Sequence, residues 1–198
     1  MSVAAALVHE AGLTPEQAEY VGIPLSWQQY EALGEDVRGE YIGGRLYVNA
    51  FPTFWHQVLC ERVCQQLRPQ LPTGHVAVMG IGWKPARDEF GPDVLVLRLA
   101  DHDVRAPRFT GRPLLVVEVL SRDASRDTVV KAHRYARAGA PQYWLVHPEG
   151  PLEVLALESA DEGIYRVAHR LSDAAEQVVL ADGTEITVDP KALFAPYL

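Results

Sequence analysis

Gly91-Pro92-Asp93 opens the apolar run Val94-Leu95-Val96-Leu97, and Glu118 sits inside a second run from Leu114 to Ser121, with Asp127, Lys131 and Tyr135 following at helical spacing. One carboxylate at the mouth of a strand, a second within a strand and a lysine on a helix can hold a divalent cation beside a phosphodiester. Glu118 is the most informative of them. Side chains alternate along a strand, so Leu114, Val116 and Leu120 share its face, and exposing Glu118 would expose all three. An ionised carboxylate among such neighbours is costly unless a partner offsets it. That partner is either a metal ion or a buried Arg or Lys.

Asp93 and Lys131 each carry two readings. Asp93 either ends a turn or, if its strand neighbours that of Glu118, brings a second carboxylate to the same end of the sheet. Lys131 lies four residues after Asp127 and four before Tyr135, bordering an apolar side made by Val129, Ala132 and Ala136. It either forms a surface ion pair with Asp127 or points at the carboxylates, where an ammonium orients a nucleophile or stabilises developing charge.

The elements that must position these groups follow from local signals. Thr14-Pro15-Glu16-Gln17 and Ser26-Trp27-Gln28-Gln29 resemble capping boxes and predict two short opening helices. Gly39 to Ala50 reads as a hairpin turning at Gly43-Gly44. Thr53 caps a longer helix to about Leu67, with Phe54, Val58 and Cys60 recurring near helical spacing and Pro69 and Pro72 ending it. Strands are predicted over His75 to Trp83, Asp93 to Leu99 and Pro113 to Leu120, with a polar, basic loop from Ala100 to Arg112. A helix from Asp123 or Ser125 to about Ala138, stopped by Gly139, leads to a buried strand from Gln142 to Val146, the order of a parallel crossover. Leu152 to Leu157 with Ile164 to Leu171, and Val178 to Leu180 with Glu185 to Val188, read as antiparallel pairs, before a last helix opened by Asp189-Pro190.

A chain of 198 residues with 48% hydrophobic and 22% charged content fits one α/β domain. No apolar run approaches the ~20 residues of a membrane span, and the start lacks a basic n-region, so a cytoplasmic location without a membrane is expected. Cys60 and Cys64, the only cysteines, read as reduced, packed thiols rather than a disulfide or a zinc site. The net charge of -8 argues against a strong, indiscriminate nucleic-acid binder, yet Arg98 to Arg137 holds nine basic and five acidic residues, half of all the basic ones. That local excess suits either a solvated face or a phosphate-facing patch.

Pro92-Asp93, Val117-Glu118-Val119-Leu120-Ser121, Asp127, Lys131, Tyr135 and Tyr143-Trp144-Leu145-Val146 together resemble the Uma-type family of putative restriction endonucleases, within the PD-(D/E)XK nuclease superfamily. Glu40, Gly44 and His56-Gln57 fall where that family has a glutamate, a turn glycine and a histidine opening its long helix. Two positions depart from it: Gly43 stands where Asp often precedes the turn glycine, and His147 where Asp commonly follows the Tyr-Trp strand.

The resemblance implies a restriction-endonuclease-like core over 40–148, a mixed central β-sheet flanked by helices, with N-terminal helices over 14–34 and an antiparallel C-terminal extension over 152–198 in a single domain. It implies that Asp93 and Glu118, with the Val119 carbonyl, bind Mg²⁺ or Mn²⁺, and that Lys131 assists the attacking water. The superfamily usually carries this lysine two residues after the glutamate, where this chain has Leu120; the family moves it to the following helix. Glu40, His56 and Gln57 are then peripheral, and Ser121, Asp127 and Tyr135 support the site from behind. The function implied is hydrolysis of DNA phosphodiesters by a metal-activated water, in a homodimer by analogy with enzymes that cut both strands. The alternative is a nuclease-like module that binds nucleic acid or protein without cleaving.

Overall fold

The computed structural model describes residues 3–14, 17–18, 21–34, 39–48, 51–121 and 126–195. A helix α1 (Val3–Glu10) precedes the two predicted caps. Thr14 and Gln17 exchange the reciprocal bonds of a capping box, and so do Ser26 and Gln29 at the start of α2 (Trp27–Ala32). The hairpin forms from β2 (Glu40–Ile42) and β3 (Arg45–Tyr47), with Gly43 and Gly44 at φ +59° and +84°, as a tight turn of this hand requires. β1 (Ile23–Pro24) adds to its outer side.

Thr53 accepts the His56 amide and caps α3 (Phe54–Leu67), which buries Val58, Leu59, Cys60, Val63, Cys64 and Leu67. Phe54, expected on the apolar stripe, lies at the helix mouth and stays exposed. Pro69 does not end the helix abruptly; the chain tightens into one 3₁₀ turn over Arg68–Gln70.

The centre is a six-stranded mixed sheet ordered β11-β10-β9-β8-β6-β4. Its strands are β4 (His75–Met79), β6 (Val94–Arg98), β8 (Leu115–Val119), β9 (Gln142–Val146), β10 (Leu152–Ser159) and β11 (Ile164–Leu171). β8 runs antiparallel to β6 and parallel to β9. The predicted strand His75 to Trp83 is in fact two: the chain breaks at Gly80, φ +67°, and β5 (Gly82–Trp83) pairs instead with β7 (Arg108–Phe109) inside the segment read as a loop. A strand cannot continue through a left-handed residue, which redirects the next peptide.

Both faces of the central sheet are covered. Val94, Val96, Val117, Val119, Trp144 and Val146 pack with α3 and the C-terminal segment. Leu95, Leu97, Val116, Leu120, Tyr143 and Leu145 pack with Tyr135 and Trp83 on the other side. Leu114 departs from the alternation expected of it and joins the α3 side, because the strand starts only at Leu115.

The β8-to-β9 crossover holds the main local surprise. Arg126–Lys131 winds as a π-helix before α4 (Ala132–Arg137) takes over. A wheel drawn at α-helical spacing therefore misplaces this turn: Val129, expected on the apolar side, is 66% exposed, whereas Lys131 is 4% exposed. The last elements are β12 (Glu176–Val179), paired with β13 (Glu185–Val188), and α5 (Pro190–Phe194), capped by Asp189.

Candidate active site at the mouths of β6 and β8

Glu118 is 3% exposed, and its charge is met from two sides. Lys131 Nζ lies 3.0 Å from its Oε1 and Tyr135 donates its hydroxyl to the same oxygen at 2.5 Å. Of the two partners the alternation argument left open, the described structure provides a lysine. Burial first, then the charges of Glu118 and Glu40, push the Tyr135 hydroxyl well above its ordinary range, so it remains a donor.

Glu40 lies closer to this chemistry than a peripheral place. It is 1% exposed, its Oε1 sits 3.0 Å from the same Lys131 Nζ and accepts the Gly91 amide at 2.8 Å. The β2 strand is brought there by backbone bonds between Tyr41 and Glu89, so the hairpin is tied to the segment that leads into Asp93.

Asp93 anchors a second set of contacts. Its Oδ2 accepts the Val119 amide at 2.8 Å, locking the mouth of β6 to the end of β8, and lies 3.1 Å from His56 Nε2 on α3. On the other side of that ring, Nδ1 is 3.6 Å from the Cys60 thiol. Ligand atoms of His56, Cys60 and Asp93 all lie within 4.8 Å of one another. Burial, then the nearby charges of Asp93 and Glu118, push the Cys60 thiol up, so both carboxylates act on it.

The two sets meet on adjacent residues of β8, Glu118 and Val119. Asp93, Glu118 and Lys131 therefore gather at one end of the sheet, with Tyr135, Glu40 and His56 in direct contact with them. Gln57 and Ser121 are exposed. The side chain of Asp127 lies outside the described residues, so the proposed pair with Lys131 does too. His147 ends β9 facing Glu153 of β10 at 3.6 Å.

Cys60 is the residue that sequence reasoning set aside. Its signal was present, since His56 precedes it by four and shares its helix face. The third member of the cluster, Asp93, lies at the start of a strand far along the chain, where no spacing rule reaches.

The Gly43 departure also has an explanation. A side chain there would meet Arg134 Nη2 at 2.5 Å, and a carboxylate reaches both the turn and that arginine from elsewhere: Asp88 accepts the Gly43 amide at 2.8 Å and lies 3.5 Å from Arg134 Nη1.

Comparison with known proteins gives two findings. The family model Uma2, described as Putative restriction endonuclease, matches residues 27–189. The crystal structure of a putative nuclease belonging to DUF820, from Anabaena variabilis ATCC 29413, superposes with a TM-score of 0.70 at 20% identity, over 87% of this chain and 98% of that one. The expected α/β class with a mixed central sheet is thus observed and shared with that structure. No curated protein matches the chain.

Proposed function

The chain belongs to the Uma2 family of putative restriction endonucleases, and from that premise we propose that it is a divalent-cation-dependent endonuclease acting on DNA. The observation that carries the reading is convergence: segments remote in sequence bring carboxylates and a lysine to one end of the sheet. Glu40 and Glu118 share one ammonium, at 3.0 Å each, and Asp93 adds a third carboxylate at the same sheet end. Carboxylates brought to one place beside a lysine are a donor set that a divalent cation can take.

Asp93 and Glu118, with the Val119 carbonyl, are the residues we assign to the cation. When bound, a divalent ion there neutralises phosphate oxygens and acidifies a water. The chain's own residues do the rest. Lys131, held between two glutamates, orients the nucleophile and offsets charge that develops on the phosphate. Glu40 fixes Lys131, Tyr135 fixes Glu118 and His56 fixes Asp93, so each reacting group has a partner restricting its rotamer. Because cutting a duplex needs one such site per strand, we assign a homodimer as the working unit; a monomeric mass by light scattering with and without DNA removes that part.

The test is nicking of supercoiled plasmid and of single-stranded DNA in Mg²⁺ and in Mn²⁺ by wild type, Asp93→Asn and Lys131→Ala, each checked for folding by circular dichroism. Cleavage by wild type alone is expected. Equal residual cleavage in all three would sink the assignment. One observation favours a non-cleaving module, the depth of Lys131 at 4% exposure. Absence of cleavage by wild type under every condition selects that reading.

A further inference from the structure

We propose that His56, Cys60 and Asp93 form a mixed nitrogen, sulfur and oxygen metal centre that selects a transition ion such as Zn²⁺, Fe²⁺ or Co²⁺ over Mg²⁺. The inference rests on the nuclease reading for what the ion does, though not for whether it binds.

The geometry is set by rigid elements. Thr53 caps α3 through the His56 amide, and one helical turn later Cys60 points the same way, 1% exposed in the wall of the core. Facing them, Asp93 is held by the Val119 amide at 2.8 Å at the end of the central strands. The imidazole adjoins the thiol through Nδ1, at 3.6 Å, and the carboxylate through Nε2, at 3.1 Å, so an ion takes one of these nitrogens and the ring turns to bring it towards both partners. Metal bonds of ~2.0–2.3 Å place tetrahedral ligands about 3.3–3.8 Å apart. The three candidate ligand atoms lie within 4.8 Å of one another, so the widest pair closes by about 1 Å on binding, through side-chain rotation.

Ligand chemistry then selects the ion. Mg²⁺ takes oxygen ligands and keeps several waters, whereas imidazole and thiolate favour zinc, iron and their neighbours. Of the two carboxylates assigned to the ion, Glu118 adjoins Lys131 Nζ at 3.0 Å, whereas Asp93 adjoins nitrogen and sulfur donors. The group facing α3 is therefore the part of the site with transition-metal character. Without an ion it is explained as a packed thiol beside an aspartate-bound imidazole, and the test separates the two.

Full-length protein stripped with chelator is titrated with Co²⁺ and followed by absorption. Expected are visible bands of bound cobalt and a near-ultraviolet thiolate-to-cobalt band, both surviving a large excess of Mg²⁺. Cys60→Ser loses the near-ultraviolet band, His56→Ala loses tight binding, and Cys64→Ser, which replaces another buried thiol on the same helix, retains the full spectrum. A wild-type spectrum without the thiolate band, a band that survives Cys60→Ser, or displacement by Mg²⁺ overturns the proposal. A thiolate band in a protein that cuts no DNA leaves this centre standing and removes the nuclease reading. Mg²⁺-driven cleavage unaffected in Cys60→Ser, with no thiolate band in wild type, does the reverse.

Discussion

Lys131 is the residue on which the buried charges balance. Its ammonium touches Glu40 and Glu118 at 3.0 Å each while all three side chains are 5% exposed or less. Removing it takes the ammonium from two buried carboxylates, and breaking a buried pair from one side costs far more than the pair contributes. Lys131→Met should therefore lower stability by about 3–5 kcal/mol, read from urea unfolding. Adding Glu40→Gln should recover part of the loss, because one buried charge is gone; a double variant no more stable than the single one refutes this balance. The need for a partner at Glu118 was legible in the sequence, because alternation fixes its face. The partner's identity was less so. Glu40 reaches Lys131 from a hairpin remote in sequence, and the π-helical turn that sends Lys131 inward has no compositional signature.

At the scale of elements, short devices aim the chemistry, and they differ in how well they can be read. Helix caps and tight turns are local physics, so Ser26, Thr53 and Gly43-Gly44 announced themselves. Thr53 Oγ1 accepts the amide of His56 itself, at 3.2 Å. Thr53→Ala should cost about 1 kcal/mol of stability by urea unfolding, and hydrogen exchange should show the first turn of α3 opening more often. Gly43 is constrained by φ +59°, while the Arg134 guanidinium, 2.5 Å from an added Cβ, is the end of a flexible side chain that can swing away. Gly43→Ala should destabilise by about 1–2 kcal/mol for the left-handed backbone alone, with a drop in thermal midpoint; no change would mean the hairpin turn can relax. The break at Gly80 and the short parallel pair of β5 with β7 escaped the reading, because a two-residue strand is defined by its distant partner.

At the scale of the whole molecule, α3 joins the C-terminal segment to the central sheet. Its inward face joins the sheet, while Arg62 donates to the Leu193 carbonyl, and Gln66 and Gln70 each exchange two hydrogen bonds with the backbone, at Asp189 and Thr187. Val178, Ile186, Val188 and Leu193 belong to the same apolar cluster as Leu59, Val63 and Val117. The pairing of β12 with β13 was legible from its turn; its docking was not, since an amide side chain that mimics a strand partner looks like any surface glutamine. The far end of this hairpin is tied electrostatically. Asp182 Oδ2 lies 2.8 Å from His75 Nε2 on β4 and 3.9 Å from Arg98 Nε. Burial pushes the Asp182 carboxyl up, but hydrogen bonds from Thr184 and His75, with the His75 charge, together outweigh it and hold the carboxyl below its ordinary range. A lowered folded-state value means that the ionised form stabilises the fold above the unfolded value of about 3.9, and that this contribution is lost as pH falls through the folded value. Asp182→Asn should therefore be less stable than wild type at neutral pH, and the gap should close in acid below about pH 4. Urea unfolding of both proteins across that range checks it. A gap that stays constant into acid would assign the effect to the shape of the turn rather than to the charge that joins it to β4.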